Sequence, residues 1–139
     1  MTRTWLLAGL LLATSCTTVQ PMRSEITTDS GRPLSPGLKA YDVEHYTLRN
    51  EILIEQKSIA GSAAIRFRAV RPMSTLELDF DGLFDIQSIE DESGPLDYTR
   101  DPARIYVTLR AELPIDAVHE VEVFYSGAPI EAKHAPWDG

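Results

Sequence analysis

Between Ser58 and Gly82 the chain alternates apolar and polar side chains with a period of two. Ile59, Gly61, Ala63, Ile65, Phe67 and Ala69 share one parity, and Ser62, Arg66 and Arg68 share the other. A strand turns successive side chains to opposite faces, so this spacing predicts one packed face and one solvated face. After a break at Arg71-Pro72, Leu76, Leu78 and Phe80 repeat the pattern against Thr75, Glu77 and Asp79, and Asp81-Gly82 closes that strand. Upstream, Tyr46, Leu48, Ile52 and Ile54 share a parity opposed by His45, Thr47, Arg49 and Glu51. Gln56-Lys57 is the expected turn that joins this strand to the one opening at Ile59.

Downstream, a weaker strand over Ile86 to Glu90 ends at Glu92-Ser93-Gly94-Pro95, and a short one covers Leu96 to Tyr98. Asp101-Pro102 turns the chain into a strand carrying Ile105, Val107 and Leu109. Leu113-Pro114 breaks it, and Val121, Val123 and Tyr125 form a last strand that stops at Ser126-Gly127. No window sustains a helical period. About seven short strands with closely spaced turns predict an all-β fold, an antiparallel β-sandwich or a saddle-shaped pair of curved sheets. That domain is expected over residues 40–129, with 130–139 starting a connection to a missing remainder.

The N-terminus has a different character. Arg3 precedes an apolar run from Trp5 to Ala13, shorter than the ~20 residues a bilayer requires and suited to a secretory signal. It leads to Leu12-Ala13-Thr14-Ser15-Cys16, which holds the single cysteine of the chain. This resembles the lipobox of bacterial lipoproteins, with Ala13 where Leu is usual, and makes Cys16 the candidate lipid attachment site. The alternative is an ordinary signal cleaved near Ser15, leaving Cys16 an incidental thiol. Residues 1–16 are thus read as signal peptide and lipobox. Residues 17–39, poor in large apolar side chains and rich in Thr, Ser, Pro and Gly, are read as a flexible linker. Thr17, not Asp, follows the cysteine, which by the same resemblance directs an exported lipoprotein to the periplasmic face of the outer membrane.

Thirteen Lys and Arg against 21 Asp and Glu give a formal charge of -8. Phosphate binding needs a basic patch, so nucleic acid is not an expected partner. Candidate catalytic residues are few. His119-Glu120 opens like a His-Glu-x-x-His zinc motif, but Val123 stands where the second histidine belongs, and the motif needs a helix to bring i and i+4 together, whereas the alternation of Val121 and Val123 makes a strand. His45 and His134 have no acidic or cysteine neighbour at ligand spacing. Glu77, Asp79 and Asp81 read as a wet strand face, and Glu90-Asp91-Glu92 as a charged loop entry. No nucleophile elbow or phosphate-cradling glycine loop is present in the sequence.

Four segments carry a family resemblance: Tyr41-Asp42-Val43-Glu44-His45-Tyr46, Ile59 to Phe67, Leu76 to Gly82, and Val123-Phe124-Tyr125-Ser126-Gly127. In this order and spacing they resemble the N-terminal β-domain of the aminopeptidase N family, zinc metallopeptidases that include leukotriene hydrolase. Pro136-Trp137-Asp138-Gly139 is similar to the segment that follows this sheet in bacterial members. The resemblance implies a longer enzyme whose next domain carries Gly-x-Met-Glu-Asn, His-Glu-x-x-His and a distant glutamate, holding zinc and the peptide amino terminus. None of these motifs occurs in this sequence, so no catalytic, metal or substrate residue is carried over, and the zinc belongs to the family's catalytic domain.

The expectation is a lipid-tethered, non-catalytic domain whose partners are that catalytic domain and, through Cys16, a membrane. Alone it is expected to be inactive and to expose an apolar edge. The alternative is a stand-alone periplasmic binding or adhesion module, for which an aromatic patch including Trp137 and Tyr125 would speak. A degraded copy without function is a third possibility.

Overall fold

A computed structural model describes residues 33–130. The readings for the signal peptide, Cys16, the linker up to residue 32, His134 and Trp137 lie outside the described residues. Eight strands form in chain order: β1 (Tyr41–Leu53), β2 (Ser58–Ala69), β3 (Met73–Asp79), β4 (Phe84–Asp91), β5 (Gly94–Pro95), β6 (Tyr98–Arg100), β7 (Arg104–Leu113) and β8 (Val118–Gly127). They make a five-stranded sheet in the order β1-β2-β8-β4-β5 and a three-stranded sheet in the order β3-β7-β6. Every pairing is antiparallel. The all-β sandwich read from the alternation is therefore the fold. The turn joining β1 to β2 is closed by the Lys57 amide on the Ile54 carbonyl at 3.1 Å.

The two sheets meet through the parity that the sequence marked as apolar. Phe67 of β2, Ile89 of β4 and Val121 and Val123 of β8 face Leu76 of β3 and Ile105 and Val107 of β7, and all seven are almost fully buried. Each such side chain contributes roughly 1.5–3 kcal/mol through its removal from water. Tyr41 caps this core, its ring edge-on to Phe67 at 5.3 Å and its hydroxyl donating to the Glu77 carbonyl oxygen at 2.7 Å.

The solvated face of β2 is less wet than its parity suggests. Arg66 is exposed, but Ser62 and Ala64 are buried. The cause is a polar cover. Ser62 Oγ donates to Glu122 Oε1 at 2.6 Å, and Arg49 Nη1 donates to the same oxygen at 3.0 Å.

The stretch before β1 is fixed at its end. A 3-10 helix spans Leu38–Ala40, and the Leu38 amide donates to Ser35 Oγ. Ser35 Oγ in turn donates to Glu77 Oε1 at 2.7 Å. Ser35 to Lys39, read in sequence as the end of a flexible linker, are thus docked on β3.

Candidate functional site

β1 carries the feature that most departs from a closed sandwich. Tyr46 stands opposite Ile65, Leu48 opposite Ala63, and Ile52 opposite Ile59, so these side chains share the face that bears the core. Yet Tyr46 is 56% exposed, Leu48 61%, Ile52 61% and Ile54 78%. The three-stranded sheet covers the Tyr41–Phe67 end of the large sheet and leaves the hairpin end of β1 and β2 bare. A patch of large apolar side chains on one face, without a partner layer among the described residues, is a docking surface by its chemistry.

At the margin of this open half lies an aromatic group. Tyr125 packs edge-on against Phe80 and Phe84, both at 5.8 Å, and the Arg100 guanidinium sits over Phe80. The Tyr125 hydroxyl donates to Asn50 Oδ1 at 2.7 Å. Tyr125, named in sequence as part of a binding patch, therefore closes the sandwich with two phenylalanines.

The polar candidates separate. His45 is exposed on β1, opposite Arg66. His119 and Glu120 lie on β8, a strand, with the His119 ring edge-on to Phe67 at 6.0 Å and Nε2 3.7 Å from Asp91 Oδ2. Asp91 is the buried member of the Glu90-Asp91-Glu92 run, and Arg110 Nε donates to its carboxylate at 3.2 Å. Burial opposes the charge of Asp91, but the Ser93 amide and the Arg110 guanidinium outweigh it and hold the carboxyl below its ordinary value. Glu90 stands directly across from Glu122, and both line a cleft of about 490 Å³ together with Arg66, Asp91, Glu92, His119 and Glu120.

Glu77 corrects the reading of a wet acidic face. It is 7% exposed and accepts from both Ser35 Oγ and Arg104 Nη1. Arg104 also donates to Asp79 Oδ1 at 2.9 Å, and Asp81 Oδ1 accepts the Leu83 amide. Of the three carboxylates only Glu77 is drawn into the fold, while Asp79 and Asp81 remain exposed as the alternation predicts. The residues sequence reasoning missed here are Ser35 and Arg104, and neither carries a local signal, because each meets Glu77 only through tertiary packing. Among the described residues no three His, Cys, Asp or Glu side chains come together as a metal site.

No family model matches the chain, and no curated protein does. Solved structures do match. A two-domain M1 zinc metallopeptidase mutant bound to L-tryptophan superposes with a TM-score of 0.60 at 22% identity, covering 72% of this chain and 23% of that one. An M1 zinc metallopeptidase mutant from Deinococcus radiodurans bound to a Tyr-Ser-Ala substrate gives 0.58 at 21% identity, over 71% and 23%. A further M1 mutant from the same organism gives 0.59 at 21% identity, over 73% and 24%. This chain thus spans about a quarter of the length of the structures it matches, and its fold is that of a β-domain found within M1 zinc metallopeptidases.

Proposed function

We propose that this chain serves as the non-catalytic β-domain of an M1-type zinc aminopeptidase and packs against a catalytic domain through the open half of its five-stranded sheet. The likeness to M1 metallopeptidases, which covers nearly three quarters of this chain, carries the reading. The bare side chains Tyr46, Leu48, Ile52 and Ile54 support it, since a domain built to be covered leaves such a face and a self-sufficient one does not. In this reading the catalytic zinc, the general base and the pocket for the peptide amino terminus reside in the partner domain. The β-domain contributes a rigid wall. Cys16 carries the lipid that holds the assembly on the periplasmic face of a bacterial outer membrane.

Two measurements on one preparation test this. Expressed in a bacterial host, the chain is expected to fractionate with membranes, and Cys16→Ser is expected to release it into the soluble fraction. Purified and supplied with zinc, it is expected to hydrolyse no aminoacyl substrate. Turnover abolished by a chelator overturns the non-catalytic assignment, and an unchanged distribution of Cys16→Ser overturns the lipid anchor.

A further inference from the structure

The two edges of the five-stranded sheet are built differently. At one edge, β5 is only Gly94–Pro95 and covers Glu90 and Asp91, while the rest of β4 is interrupted by a register shift between Ile86 and Ser88 and by Arg100 on the Phe84 carbonyl. At the other, β1 runs from Tyr41 to Leu53 with neither proline nor glycine, and among the described residues it pairs only with β2. Its single irregularity falls between Val43 and His45, so residues 45–53 present a regular ladder with free outward N–H and C=O groups. Natural sheets guard such edges with inward-pointing charges. β1 instead places Tyr46, Leu48, Asn50 and Ile52 on its inner face, with its charges Arg49 and Glu51 on the outer one.

We propose that β1 is a self-pairing edge, joining two copies of this chain antiparallel about a two-fold axis through Asn50. This inference concerns the edge and not the open face, so it stands apart from docking of a catalytic domain. The side chains select the register. With Asn50 opposite its own copy, Arg49 faces Glu51 of the second copy on the outer side, twice by symmetry. On the inner side Leu48 meets Ile52, twice by symmetry.

Moving the axis to Arg49 sets Arg49 against itself, and moving it to Glu51 sets Glu51 against itself. Moving it by half a step turns the apolar side chains against the polar ones. Directly opposed like charges destabilise a pair, and opposite charges stabilise it. Arg49 Nη1 is held by Glu122 of β8, across β2 from the open edge, and its side chain stays two-thirds exposed, so it meets the second copy by turning its guanidinium outward from Glu122. The Asn50 registry matches Arg49 with Glu51 and Leu48 with Ile52.

Sedimentation equilibrium of the full chain tests this with two charge reversals, Arg49→Glu and Glu51→Arg. The wild-type chain is expected to dimerise, and each reversal alone to weaken dimerisation roughly tenfold, because two attractive pairs become two repulsive ones. An equimolar mixture of the two variants restores complementarity at every position and is expected to recover wild-type association as a heterodimer. Hydrogen exchange is expected to slow in residues 46–54 as concentration rises. Glu51→Arg leaves the Arg49–Glu122 pair intact, so it reports on pairing even where Arg49→Glu unfolds. A chain that stays monomeric, or one whose dimer ignores Glu51→Arg, overturns the proposal.

Discussion

Gly61 of β2 sits opposite Asn50 of β1. A Cβ there would collide with the Arg49 carbonyl oxygen and Asn50 Oδ1. Because the first of these is backbone, the hairpin cannot yield by a rotamer change. Gly61→Ala is therefore expected to cost ~1–3 kcal/mol, read as a lower urea midpoint with an unchanged slope. Tyr41 makes a second single-residue argument. Burial, with Tyr46, Asp79 and Glu77 adding to it, pushes its hydroxyl up from 10.0 to about 12. A raised folded value means that the stability Tyr41 contributes is fully present below pH 10 and is lost as the pH climbs toward 12. Alkaline denaturation followed by far-ultraviolet dichroism is expected to show that loss in the wild-type chain. In Tyr41→Phe the loss should shrink.

At the level of the strand, parity and burial part company on β1. Leu48 and Val121 lie on the same face of one sheet, but Val121 is fully buried and Leu48 is not. Val121→Ala is expected to cost about 2 kcal/mol through lost burial and a cavity. Leu48→Thr, which removes apolar surface already in water, is expected to stay within ~0.5 kcal/mol. Paired urea titrations of the two variants check the contrast, and equal losses would mean that the open half is covered in solution.

The same contrast explains what the sequence could tell. Strand positions were legible because period-two alternation and the breaks at Arg71-Pro72 and Leu113-Pro114 are local signals. Which half of an apolar face is covered depends on where β3, β6 and β7 land, and no local pattern encodes that. Glu77 was misread for the same reason. Its alternation is that of a wet face, while its partners Ser35 and Arg104 lie 42 and 27 residues away.

Across the whole molecule, an excess of acidic groups coexists with a set of carboxylates held in their charged form. Arg68 holds Glu44 below its usual 4.5, and the Ala103 amide leads in holding Asp101 below 3.8. Asp91 behaves likewise through Ser93 and Arg110, against its burial. Lowered folded values contribute stability that is present above the unfolded values and is lost as pH falls through the folded ones. Self-repulsion of the -8 net charge at pH 7 opposes this at neutral pH and relaxes on mild acidification.

The inequality of the two sheet edges has one more consequence, for the size of any assembly. A sheet with two open edges adds copies without end, as a fibre does, because each addition leaves a fresh edge. Here β5 caps β4 at Glu90 and Asp91, a register shift and Arg100 interrupt the rest of that strand, and Ser35 ties the segment before β1 to Glu77 on β3, an outer strand of the small sheet. Addition at β1 consumes the growing point of both copies at once. Growth by strand addition is thus self-limiting at two, and the irregular β4–β5 edge leaves a second copy nowhere to extend the sheet.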